Sequence, residues 1–285
     1  MNPIGRSTLA VAVLVIALVD SLAFAYERTP CKQGEKCKTL KWSANKIRVY
    51  LNQDFCSAPP QRTSLLTREE ALCTSAVADG LSEWNKAACS DEHLEFAGTT
   101  AREDLGYDPR RKDNLNLIIW AQKILEATEE PPKGVFYDTS AVIALTTATY
   151  DANTGRIVDM DMELNGEYFT FDALGCEEGA WAPGVIDLQS VITHESGHFL
   201  GLADLYSSED QEFTMYGRYE EGQDPCAKRT LAQDDIDGLC AIYPREEQGC
   251  SNSGGAAPGS LLLLVLLLAW RYIPGARSTR SGRRA

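Results

Sequence analysis

The sequence predicts an α+β fold (equally describable as mixed α/β) in one domain spanning about residues 42–244. Three observations carry that reading. Segments that read as strands lie mostly in the earlier part of the chain. Three segments carry helix-start chemistry followed by apolar residues at helical spacing. The composition, 44% apolar and 24% charged over 285 residues, suits a chain that buries a real core.

Each element has its own signal. From Lys46, IRVYLN alternates as a strand does. Thr67 and Glu70 make a capping-box pattern, a hydroxyl and a carboxylate that satisfy the free amides of a first turn. Cys73, Ala76, Val77, Gly80, Leu81 and Trp84 follow at helical spacing, so a helix is expected over 68–87. LNLIIW (115–120) reads as a buried strand and VIALTTATY (142–150) as another. In DANTG (151–155), Asp151, Asn153 and Gly155 imitate the start of a calcium loop, but the later ligand positions are missing and a hairpin turn is expected. Val158, Met160, Met162 and Leu164 then alternate with Asp159, Asp161 and Glu163, a strand with one buried and one acidic face. Residues 165–186 read as a long, glycine-rich loop. Asp187 is the expected N-cap of a helix over 188–200. Thr230 and Gln233 make a second capping box, Ile236, Leu239, Cys240 and Tyr243 follow, and Pro244 stops that helix.

The two ends differ from the body. Residues 1–25 run from Arg6 through LAVAVLVIALV to Ala23-Phe24-Ala25, the layout of a secretory signal peptide cut before Tyr26; the competing assignments are a buried helix or an anchor. Residues 26–41 read as an irregular lead-in. At the other end a Gly/Ser/Pro linker (245–259) precedes LLLLVLLLAW and an arginine-rich terminus within 260–285. That apolar run is short of the roughly 20 residues that span a bilayer as a helix, so it reads as a sorting signal, with a short membrane anchor as the alternative. Residues 1–25 and 249–285 hold six of the 27 basic residues and one of the 41 acidic ones, so the remaining body is near −19. A body that acidic excludes nucleic acid as a partner bound through surface charge.

Nine cysteines are present. With Cys250 set aside in the terminal segment, the other eight can form up to four disulfides in an oxidising compartment. Cys226 with Cys240 is the expected local pair. No C-x-x-C occurs, which argues against a zinc ribbon or a dithiol redox centre.

The chemistry concentrates in LQSVITHESGHFLGLADLY (188–206). His194 and His198 are i and i+4 on a helix, so both imidazoles can meet one ion. Glu195 can act on a water at that ion as general base without ligating it. Gly201, three residues past His198, permits a left-handed helix end, after which the chain can bring Asp204 back toward the ion. His93 is the only other histidine and has no supporting pattern, which makes Asp204 the economical third ligand. A rival third ligand is Glu220 in EEGQD (220–224), which needs a helix where the sequence has Gly222 and Pro225.

HESGHFLGLAD resembles the metzincin signature H-E-x-x-H-x-x-G-x-x-H with Asp in the last position, as in snapalysin-like and some bacterial matrixin-like peptidases. FTMYGRY sets Met215 eleven residues past Asp204, where that family carries its Met-turn. YDANTGRIVDMDMELN, DLQSVITHE and DDIDGLCAIYP extend the likeness to matrixins over about 42–244. The resemblance implies a zincin-like fold with a five-stranded sheet, an active-site helix and a C-terminal helix. It implies Zn²⁺ held by His194, His198 and Asp204, Glu195 as base, Met215 as an apolar floor, and protein or peptide substrates. Structural Ca²⁺ is the second cation it allows, with no ligands assigned. An Asp in place of His adds negative charge at the ion, which raises the pKa of a bound water. No cysteine-switch prodomain precedes the body, and Tyr216 and Tyr219 read as packed or surface side chains. Around Cys250 the terminus resembles the myxobacterial C-terminal sorting tail, implying a secreted or surface-attached protein; a monomer is expected. Two other functions stay open: a catalytically inactive, zinc-stabilised binding module, and a structural envelope protein carrying a relic motif.

Overall fold

The computed structural model describes residues 25–60, 63–67, 69–121, 124–125, 136–137, 142–173, 176, 183–219 and 224–245. Residues 1–24 of the expected signal peptide (1–25), the terminal segment with Cys250, and Glu220 lie outside the described residues. The strands are β1 Lys46–Asn52, β2 Ser64–Leu65, β3 His93–Thr100, β4 Asn116–Trp120, β5 Ile124–Leu125, β6 Phe136–Tyr137, β7 Ala144–Tyr150, β8 Ile157–Leu164, β9 Thr170–Asp172 and β10 Val185–Asp187. The helices are α1 Asp54–Ser57, α2 Glu70–Glu83, α3 Leu188–Phe199 and α4 Gln233–Ile242.

The main sheet has five strands in the order β3-β1-β4-β8-β7. Its first four are parallel; β7 runs antiparallel on β8 and forms one edge. The parallel strands need crossover connections, and α2 supplies the one between β1 and β3. The core joins Val49 and Leu51 of β1, Ile118 of β4 and Met160 and Met162 of β8 to Val77 and Leu81 of α2 and Ile192 and Phe199 of α3. Trp120 stacks on Phe55 at 4.3 Å between centroids and meets Phe171 edge-on at 5.3 Å. Helices α2 and α3 approach closely at Gly80, where a Cβ would lie 2.8 Å from the Ile192 side chain.

Several expectations are corrected. Helix α2 begins at Glu70 instead of 68, and Thr67 does not cap it. The Thr67 hydroxyl instead bonds the Asp172 carboxylate and accepts from the Ala173 N–H at 2.6 Å, because β9 lies beside that segment. Likewise α4 starts at Gln233, and its first turn is closed by the Asp235 carboxylate accepting from the Ala232 N–H at 2.9 Å. The loop over 165–186 contains β9 and begins β10, which pair in parallel in a separate three-stranded sheet with β2. The DANTG turn forms as expected, with Gly155 at φ 74 and the Asp151 carboxylate accepting from the Asn153 and Thr154 N–H groups.

Strand β8 departs furthest from its pattern. Its acidic face is buried as deeply as its apolar face: Asp159, Asp161 and Glu163 are 2%, 3% and 4% exposed. The chain around Gly106 lies across that side, and Asp161 accepts from the Gly106 and Leu117 N–H groups at 2.5 and 2.9 Å. Burial raises all three carboxyls; the Asp161 charge adds to the rise at Glu163, which is pushed up to about 7. A carboxyl whose pKa is raised by folding binds more protons in the native state. For Glu163 the contribution is therefore full below the ordinary glutamate value of 4.5 and is lost as pH climbs through about 7. Glu163→Gln should flatten the loss of stability between those pH values by up to about 1.4 kcal/mol per unit. Thermal unfolding of both proteins across that window measures the difference; parallel curves would contradict it.

Four disulfides form: Cys31–Cys37, Cys56–Cys73, Cys89–Cys240 and Cys176–Cys226. The expected Cys226–Cys240 pair is wrong. Cys226 precedes a 3₁₀ turn and meets Cys176, while Cys240, on α4, meets Cys89 beyond α2. Chain separation misled because α4 crosses back to the start of the fold. The Cys89–Cys240 bond closes a separation of 151 residues against 6 for Cys31–Cys37. Replacing both Cys89 and Cys240 by Ser should cost about 5 kcal/mol, against about 2 for the short loop. Urea midpoints of the two double variants test that order.

Candidate metal centre

Helix α3 is built to present one face to a cleft. Asp187 caps it, accepting from the Ser190 N–H at 2.7 Å, and is itself held by the Arg229 guanidinium at 2.5 Å. Past Phe199 and the cap residue Leu200 the chain reverses at Gly201, φ 88, in a Schellman arrangement: Gly201 N–H donates to His198 O at 2.9 Å and Leu202 N–H to Gly197 O at 3.0 Å. A side chain at Gly201 would also strike Leu40 O at 2.7 Å. The lead-in, read from sequence as irregular, braces the turn that follows. Thr29 N–H donates to Gly201 O at 2.8 Å, and Ala203 N–H to Glu27 O at 2.9 Å.

The turn carries Asp204 back over the helix. Its Oδ1 lies 3.1 Å from His194 Nε2 and 3.5 Å from His198 Nε2. Gly217 makes room, since a Cβ there would sit 2.7 Å from Asp204 Oδ1. The other ring nitrogens are committed: His194 Nδ1 donates to Thr214 O at 2.6 Å and His198 Nδ1 to Leu202 O at 2.9 Å. That leaves Nε2 of each ring turned toward Asp204, where it donates when the imidazole is protonated and offers a lone pair to a cation when it is neutral. Tetrahedral zinc with bonds of roughly 2.0–2.1 Å spaces its donors about 3.3 Å apart, so the set fits the ion. Burial opposes charge on His198, but the Asp204 hydrogen bond, the Glu195 and Asp204 charges and the Leu202 carbonyl push it up to about 9. At Asp204 burial works upward, yet hydrogen bonds from both histidines and their charges hold it far below the usual carboxylate range. The electrostatics favour positive charge at this point.

Glu195 sits beside this group, with a donor atom within 4.8 Å of those of His194 and His198. Its Oε2 accepts from the Thr146 hydroxyl at 2.6 Å. Met215 lies beneath, 2% exposed, close enough that a Cβ on Gly197 would come within 2.2 Å of its sulfur. The turn carrying it is pinned by Asp235, which accepts from the Thr214 and Met215 N–H groups at 2.9 and 3.1 Å. The cleft, about 1390 Å³, has β7 along one wall and Tyr216–Tyr219 and Asp224–Lys228 along another. His93 is exposed on β3 and does not line this cleft. Tyr216 is buried and Tyr219 exposed.

Residues 73–244, more than half of the chain, match the matrixin peptidase family. The chain belongs to the matrixin family. No curated protein sequence matches it. As a matrixin it is a zinc metalloendopeptidase acting on protein or peptide substrates. Its mixed five-stranded sheet and helices are the zincin-like arrangement expected of such a peptidase.

Three polar groups of the matrixin site were not singled out from the sequence. Thr146 is one of three threonines in β7, ALTTATY, and nothing in that run singles it out. Tyr206, two positions past Asp204, donates its hydroxyl to Asp204 Oδ2 at 3.1 Å. Lys228 bonds the Tyr216 and Arg218 carbonyls; burial lowers its pKa to about 8 against the nearby acidic charges. Only the spacing of Tyr206 from Asp204 offered any hint.

Proposed function

We propose that this matrixin is an exported endopeptidase in which His194, His198 and Asp204 hold Zn²⁺ and Glu195 is the general base. The observation that carries the reading is the approach of Asp204 Oδ1 to both Nε2 atoms, at 3.1 and 3.5 Å. Bound zinc would supply Lewis acidity, making water nucleophilic near neutral pH and polarising the scissile carbonyl. Glu195 accepts the proton of the attacking water and returns it to the departing amine. The Nδ1 bonds to Thr214 and Leu202 keep both rings oriented, and Met215 closes the floor with apolar atoms. Residues 1–25 direct export, and four disulfides suit an oxidising compartment. The terminal segment 260–285 sorts the protein or attaches it to the surface.

The test joins metal analysis of the purified protein to digestion of labelled casein, with and without chelator. One zinc per chain, and cleavage abolished by chelator and restored by Zn²⁺, are expected. A zinc-loaded protein that cleaves nothing would favour the inert binding module.

A further inference from the structure

Glu195 is gripped from across the cleft. The Thr146 hydroxyl donates to its Oε2 at 2.6 Å, short for a hydrogen bond and strengthened by the carboxylate charge. The partners are 49 residues apart and sit on different walls, α3 and the edge strand β7. Neither wall is free to drift. Thr146 lies opposite Met162, a fully buried residue of β8, in the antiparallel ladder. Glu195 is 5% exposed on a helix whose two ends are both capped.

We propose that Thr146 is a positioning residue for hydrolysis. Its hydroxyl fixes the rotamer and plane of the Glu195 carboxylate and occupies Oε2, leaving Oε1 to exchange the proton with water and the leaving amine. A glutamate side chain has several torsions to lose, and a site that holds it beforehand does not lose that freedom during reaction. This inference rests on the reading of Glu195 as the base.

Thr146→Val keeps the shape of the side chain and removes the donor; Thr146→Ser keeps the donor. On labelled casein, Thr146→Val should lower kcat about 10- to 100-fold, as loss of a supporting hydrogen bond at a metal site does, with KM unchanged. Zinc content and Tm should match the parent protein, and Thr146→Ser should recover most of kcat. Added to Glu195→Gln, Thr146→Val should cost nothing more, since the group it holds is already disabled. A parental kcat in Thr146→Val, a loss confined to KM, or a serine variant as slow as valine would overturn the proposal. Should the valine variant not fold, Thr146→Ala takes its place. Full turnover by Glu195→Gln alone would remove the role of Glu195 itself, a separate result from any effect at Thr146.

Discussion

Glu195→Gln is expected to lower kcat on casein about 10²- to 10⁴-fold while zinc stays bound. The amide keeps the size of the side chain and can still accept from Thr146, but it cannot take a proton from water. Asp204→Ala should fail differently. It removes Oδ1, the atom within 3.1 and 3.5 Å of the two imidazoles, and leaves two donors where a catalytic zinc site takes three. Zinc should then be lost to a competing chelator at far lower concentration, and activity with it. Metal stoichiometry after dialysis separates the two cases. A Glu195→Gln protein without zinc, or an Asp204→Ala protein that keeps it, would show that the roles are assigned to the wrong carboxylates.

Gly197→Ala should damage the site from below. In an ordinary helix the exchange gains about 1 kcal/mol. Here the added Cβ would fall 2.2 Å from Met215 Sδ and 2.7 Å from Trp84 Cζ2. Met215 can swing aside at its flexible end. The Trp84 indole cannot, because its Nε1–H is bonded at 2.8 Å to Thr193 O of α3, the helix that carries Gly197. Helix α3 must lift, and His194 and His198 move with it relative to Asp204. Overpacking of this kind costs about 1–3 kcal/mol, so Tm should fall by several degrees and zinc affinity should drop together with it. An unchanged Tm with parental zinc affinity would mean that the floor is looser than its contacts indicate.

Where local chemistry and tertiary context agree, the sequence was legible. The strand from Lys46, the strand ending at Trp120, the Asp187 cap and the left-handed Gly201 each follow from patterns a few residues long. The failures share one cause. Thr67 had a local partner available in Glu70 and took a distant one, Asp172. The carboxylates of β8 looked solvent-facing because nothing in the strand itself announces the chain that covers it near Gly106. Cys226 and Cys240 are neighbours in sequence and not in space.

By itself, then, the sequence determined the helix that carries His194, Glu195 and His198, the turn after it, and the α+β class. These depend on interactions within one or two turns of chain, which residue order encodes directly. Only the tertiary structure decided that Thr146 meets Glu195, that Asp235 pins the turn of Met215, that the lead-in braces the segment before Asp204, and which cysteines pair. Apart from the short Cys31–Cys37 loop, those contacts join segments well separated along the chain, up to 151 residues for Cys89–Cys240. Their geometry is set by how the sheet and helices pack as whole surfaces, and no short stretch of sequence contains that information.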